Sequence, residues 1–182
     1  IHRRLVGSEM CIRDRDLGFY RLFLLNIFKL NTGHVYRWSL KNGYSIVPNS
    51  QGTWPNGIDM IDDDLYVNYR GNGKITKFSS NMRKDLILRT YLNGGPDNVT
   101  AVGDELWIGG QNTDLGGLNC IPEDVIQCSM PFFIIRADRD LNILEEYNFK
   151  DVAYGGASVA YPFEDKIFIG AYKSDRIAIF KR

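Results

Sequence analysis

Two segments of this chain open in the same way 41 residues apart: Trp54-Pro55-Asn56-Gly57-Ile58-Asp59-Met60 and Gly95-Pro96-Asp97-Asn98-Val99-Thr100-Ala101. A repeat of about 40–50 residues, rich in short apolar strands, is the period of a four-stranded propeller blade. It leaves little room for another architecture. Each blade would present its innermost strand to a shared axis, so Asn56 and the pair Asp97-Asn98 would meet there. Asn and Asp oxygens converging on one axis suit a hard cation such as Ca2+.

The strands can be counted. The first unit offers Gly57–Ile61, Leu65–Tyr69, Lys74–Ser79 and Leu86–Leu92. The next offers Asn98–Val102, Glu105–Gly109, Phe132–Ala137 and Asn142–Phe149. A third offers Ala157–Tyr161, Lys166–Ala171 and Arg176–Lys181, and His34–Leu40 with Tyr44–Val47 reads as the outer half of an earlier blade. The hairpin between first and second strands is acidic each time: Asp62-Asp63-Asp64, Asp104-Glu105 and Glu164-Asp165. Its Gly and Glu positions do not match an EF-hand; these are solvated turn residues that fix the register. The second unit carries an insertion over residues 111–131. The expected fold is all-β: a partial six-bladed propeller of about three blades, with a short apolar helix near the N-terminus. Such an arc would leave sheet faces uncovered and be marginally stable or aggregate alone.

The helix expectation rests on Phe19–Leu30 (FYRLFLLNIFKL). Twelve residues are too few to cross a bilayer, which takes about 20. The segment reads either as a core helix packed on the propeller or as an interfacial helix making peripheral membrane or lipid contact, with Arg21 and Lys29 snorkelling. Upstream, Glu9-Met10-Cys11-Ile12-Arg13-Asp14-Arg15 matches a translated sequencing-library adaptor, so residues 1–15 are expected to be a non-native leader and 16–182 the C-terminal half of a propeller domain.

Lys and Arg number 22, as do Asp and Glu, so nothing in the charge balance points to nucleic acid as a partner. Of three cysteines, Cys11 falls in the leader. Cys120 and Cys128 lie in the insertion, where a disulfide would favour an extracellular or periplasmic setting and two free thiols a cytosolic one. With no His nearby they make a poor zinc site. Gly71-Asn72-Gly73-Lys74 is a hairpin turn, not a phosphate loop, and the sequon at Asn98-Val99-Thr100 is read as coincidence because a glycan would block the axis.

At PNGIDM, GPDNVTAVGDELWIGG and GASVAYPFEDKIFIGAY the chain resembles the six-bladed calcium-dependent hydrolases, the paraoxonase/arylesterase and regucalcin/gluconolactonase groups; strictosidine synthase-like proteins share that propeller. The resemblance spans residues 19–182. It implies Asn56, Asp97 and Asn98 as calcium ligands and a lactone or ester as the small-molecule substrate. Where paraoxonases carry a His after the second strand of the Asp-Asn blade, this chain has Gln111, which cannot act as a base. Asp97 is then the candidate for that role, with the acidic ligand and histidine pair of the family lacking counterparts here. Trp54, Tyr69, Gln111, Tyr154 and Tyr172 are placed at the channel mouth by position. A non-catalytic propeller that binds or scaffolds, and a strictosidine synthase-like protein, are the alternative readings; fold alone does not choose among them.

Overall fold

The computed structural model describes residues 6–7, 28, 30–31, 33–79, 83–88, 95–112, 129–150, 152, 154–172 and 174–182. Cys120, Cys128 and most of the expected helix fall outside them; of the segment 19–30, only Phe28 and Leu30 are described. Among the described residues no helix is long and apolar enough to cross a membrane.

Among the described residues, fourteen strands form four antiparallel sheets in chain order. The first sheet holds β1 (Val6–Gly7), β2 (Tyr36–Ser39) and β3 (Gly43–Ile46). The second, a whole blade, holds β4 (Pro55–Ile61), β5 (Asp64–Tyr69), β6 (Lys74–Phe78) and β7 (Arg83–Ile87). The next whole blade holds β8 (Gly95–Val102), β9 (Glu105–Gln111), β10 (Phe132–Asp138) and β11 (Ile143–Phe149). The last sheet holds β12 (Ala157–Phe163), β13 (Lys166–Ala171) and β14 (Ala178–Lys181). This is the arc of a propeller: two whole blades between two partial ones. β7 begins three residues ahead of the expected Leu86–Leu92, because the polar Lys84-Asp85 pairs across to Lys77-Thr76 before the apolar run starts.

Both faces of β5 and β9 are buried, and period-2 alternation divides their side chains between neighbours. Along β9, Leu106 and Ile108 join Ile61, Tyr66, Ile75, Phe133 and Ile135 between the two whole blades. Trp107, between them, faces the other way into a layer with Ile134, Ala160, Ile167 and Ile169. A third layer, Val35, Leu65, Val67 and Tyr69, joins the first sheet to the first whole blade. The core is therefore a set of inter-blade layers. The acidic hairpins repeat the same turn, its first residue left-handed in each: Asp62 at φ 53°, Gly103 at 61° and Glu164 at 54°.

A polar clasp closes the outer side of the first inter-blade layer. Lys77 Nζ lies 3.0 Å from Asp64 and 3.1 Å from Asp140 of the β10–β11 hairpin, over the Tyr66 ring, with its side chain only 7% exposed. Lys77→Ala would leave the Asp64 carboxylate facing only the more distant Arg139 guanidinium, 3.7 Å away among the described residues. We expect a loss of about 2–3 kcal/mol in urea unfolding, toward the lower end for breaking a buried pair because Asp140 is solvated. An unchanged midpoint would show that the clasp carries no stability.

Candidate functional site

A β-bulge interrupts the pairing at the start of the innermost strand in each of the three blades, between Pro55 and Ile58, Pro96 and Val99, and Ala157 and Val159. Bulges re-aim side chains and recur beside active sites. The residue following Pro55, Pro96 and Ala157 is Asn56, Asp97 and Ser158. The cross-strand partners of Pro55, Pro96 and Ala157 are Tyr69, Gly110 and Ala171, followed by Arg70, Gln111 and Tyr172. Two registers thus deliver six residues from three blades to the same end of the inner strands.

Around Asp97 these residues touch. Asn56 Nδ2 donates to Asp97 Oδ1 at 2.6 Å across the two blades. Gln111 Nε2 donates to Asp97 Oδ2 at 2.9 Å and also to the carbonyl of Ala157 in the third blade. The Arg70 guanidinium donates to Gln111 Oε1 and stands 3.7 Å from Asp97 Oδ2. Asp97 and Arg70 are 13% and 15% exposed, so this ion pair is largely withdrawn from solvent. Burial lowers the pKa of Arg70, and the charges of Asp97 and Tyr172 beside it only oppose that shift. Tyr172 is exposed as a whole, yet desolvation at its hydroxyl raises its pKa, with Arg70 acting the other way.

Trp54 faces Arg70, with the guanidinium 5.7 Å from its ring centroid. Its backbone is left-handed at φ 54°, an outlier for a bulky side chain. Arg70 N donating to the Trp54 carbonyl at 2.9 Å, and Gly71 N to that of Thr53 at 3.2 Å, hold it there. Backbone outliers persist where surrounding bonds over-determine them, and they cluster at functional sites.

The structure therefore brings Asn56, Asp97, Gln111, Trp54 and Tyr172 together, and adds Arg70, which sequence reasoning did not single out; Ser158, at the matching position of the third blade, turns its hydroxyl to the Gly170 carbonyl. Other expectations need correcting. Asn98 does not contact the Asp97 carboxylate: its amide nitrogen donates to the Ser158 carbonyl of the third blade at 3.1 Å. Tyr69 is in the core, 1% exposed, with its hydroxyl on the Ser50 carbonyl at 2.7 Å. Tyr154 is also in the core, packed edge-on to Phe132 with its hydroxyl on the Ile169 carbonyl at 2.6 Å. The strand alternation that sends Arg70 to the site sends Tyr69 away from it.

Calcium takes 6–8 oxygen ligands, so the donor set can be tested against it. Asn56 and Asp97 supply an amide and a carboxylate already in contact. Asn98 is held through its amide nitrogen by the Ser158 carbonyl, which leaves its Oδ1 as the ligand atom, and a guanidinium shares the Asp97 carboxylate. No group of three or more His, Cys, Asp or Glu among the described residues could hold a metal. The described residues fit the anchoring pair of such a site, and that pair must displace the Arg70 contact to receive an ion.

No family model matches the chain, and none of the curated proteins does. Solved structures match the fold. A catalytically inactive variant of virginiamycin B lyase from Staphylococcus aureus, determined with quinupristin, superimposes with a TM-score of 0.54 at 18% identity, over 82% of this chain and 45% of that protein. A member of the DUF4221 family from Bacteroides vulgatus gives a TM-score of 0.54 at 8% identity, over 88% of this chain and 57% of that one. The chain spans about half the length of these proteins. At these identities the likeness is one of fold.

Proposed function

Starting from a propeller arc whose inner strands deliver polar side chains to one end, we propose that the chain is part of an axial-site hydrolase acting on a lactone or ester with calcium as cofactor. The observation that carries this reading is the 2.6 Å contact between Asn56 and Asp97, matched positions of adjacent blades. Repetition gives a propeller its walls; a carboxylate and a carboxamide meeting at the axis are a chemical investment that wall-building does not need.

The chain's own residues would act as follows. Asn56 and Asp97 hold the ion, which when bound supplies Lewis-acid polarisation of the substrate carbonyl. Gln111 fixes the Asp97 carboxylate by donating to Oδ2, so its orientation is set before substrate arrives. Asp97 takes the proton of the attacking water, the only carboxylate in the cluster placed to do so. Trp54 and Tyr172 flank the cluster and narrow access for bulk water.

The Arg70–Asp97 pair favours a second reading, a non-catalytic binding propeller in which the salt bridge plugs the axis. One experiment separates the two. Calcium at about 100 times its Kd would stabilise the folded chain by about 2.7 kcal/mol, raising Tm by roughly 5–10 °C for a domain this size. Under the hydrolase reading the shift appears, EDTA reverses it, and hydrolysis of phenyl acetate by the full-length protein disappears with it. A Tm indifferent to both calcium and EDTA would sink the calcium assignment and leave the plug.

A further inference from the structure

We propose that Arg70 is the anion-recognition residue of the axial site and that the ligand it receives carries a carboxylate. This deepens the ligand-site reading above and rests on it, but not on the metal.

Asp97 makes no close contact with Arg70. Its Oδ1 accepts from Asn56 and its Oδ2 from Gln111, both at hydrogen-bond distance, while the guanidinium stands off at 3.7 Å. A guanidinium carries five donors in a planar fork, and its strongest complement is a bidentate carboxylate. Here the described partners of that fork are one amide oxygen, that of Gln111, and one distant carboxylate. The group is nonetheless 15% exposed and stacked toward Trp54, which costs solvation without full return. A ligand carboxylate would supply the missing close contact, with the Trp54 ring as one wall and the exposed Tyr172 near enough to interact with Arg70.

The same position in the repeat holds Gln111 in the next blade and Tyr172 in the third. The cation is thus a departure confined to one of three equivalent addresses. Only the first blade places a full charge where its neighbours place neutral donors. Hydrolysis of any lactone or ester also yields a carboxylate, so the site would hold its own product.

The test is isothermal titration of the purified full-length protein with 4-hydroxybutyrate, and with uncharged γ-butyrolactone as comparator, in EDTA and again in calcium. The proposal expects the carboxylate to bind in EDTA and to weaken about tenfold or more in Arg70→Gln, the loss of a charge-assisted hydrogen-bonded pair. Arg70→Lys should recover only part, since an ammonium cannot form the fork. Because removing Arg70 could unsettle the fold by leaving Asp97 alone, the double variant Arg70→Gln/Asp97→Asn serves as a second. It removes both members of the ion pair, leaving no unpaired charge, so it should keep Tm near that of the wild type and still lose 4-hydroxybutyrate binding. Equal affinity in wild type and Arg70→Gln overturns the proposal. So does carboxylate binding that appears only with calcium, which would mean the ion and not Arg70 holds it. Absence of any carboxylate binding in either buffer overturns it too. Carboxylate binding in EDTA alongside a Tm indifferent to calcium would uphold Arg70 and remove the metal.

Discussion

Gly57→Ala should be among the most damaging single-methyl changes in this chain, lowering stability by about 3 kcal/mol and Tm by about 10 °C. The reason is steric. A Cβ at Gly57 would sit 2.4 Å from the Asp97 carbonyl oxygen, 2.5 Å from Asn98 Cα and 2.7 Å from Val99 N. All three are backbone atoms of a strand pinned in the next blade, so no side chain can swing aside. The two inner strands must separate or the methyl cannot fit. Gly103→Ala is the control. A Cβ there meets nothing within 4 Å, but its φ is +61°. Its cost is conformational, about 1 kcal/mol. Thermal melts of the two variants side by side would read the difference; equal losses would mean that the blades are not in the close contact described.

Asp97→Asn should have two effects of different origin. It removes the counter-charge of a guanidinium only 15% exposed, which should cost about 2–4 kcal/mol in chemical denaturation. It also removes the carboxylate of the axial cluster. Under the hydrolase reading, phenyl acetate turnover by the full-length protein should fall by about 10²–10³-fold, and the calcium-induced rise in Tm should disappear. A double variant with Arg70→Gln separates the two. Removing both charges should restore much of the stability, because no unpaired charge remains, while turnover stays low. Recovery of turnover together with stability would show that Asp97 serves the fold and not the chemistry.

Much of the arc was legible from the sequence because its signals are local. The 41-residue spacing, the alternation of Leu106-Trp107-Ile108 and the acidic turns at Asp62, Asp104 and Glu164 fix where each hairpin begins and which face each side chain takes. The site was legible only in part. Asn56 and Asp97 could be found because they occupy matched positions next to prolines. The Asn98 amide nitrogen reaching the Ser158 carbonyl was not legible, because the bulge that holds Asp97 and Asn98 leaves no compositional mark. Tyr69 was misplaced because it ends a strand as Arg70 begins the turn, and one residue of phase decides between core and axis. Arg70 carried a signal that went unused. It stands where Gln111 stands in the next blade, so naming one should have named the other.

The three bulges have a wider consequence. Each is a backbone feature, set by pairing register and indifferent to which side chain follows it. The blades therefore work like sockets of one pattern: Asn56, Asp97 and Ser158 plug into one series, Arg70, Gln111 and Tyr172 into the other. Chemistry can be rewritten one socket at a time, leaving the wiring of the sheets untouched. A lineage of such proteins could exchange a metal anchor for an anion receptor, or either for a plain wall, by single substitutions. Shared architecture would then say little about shared reaction, and the six socket residues would be the place to look for the difference.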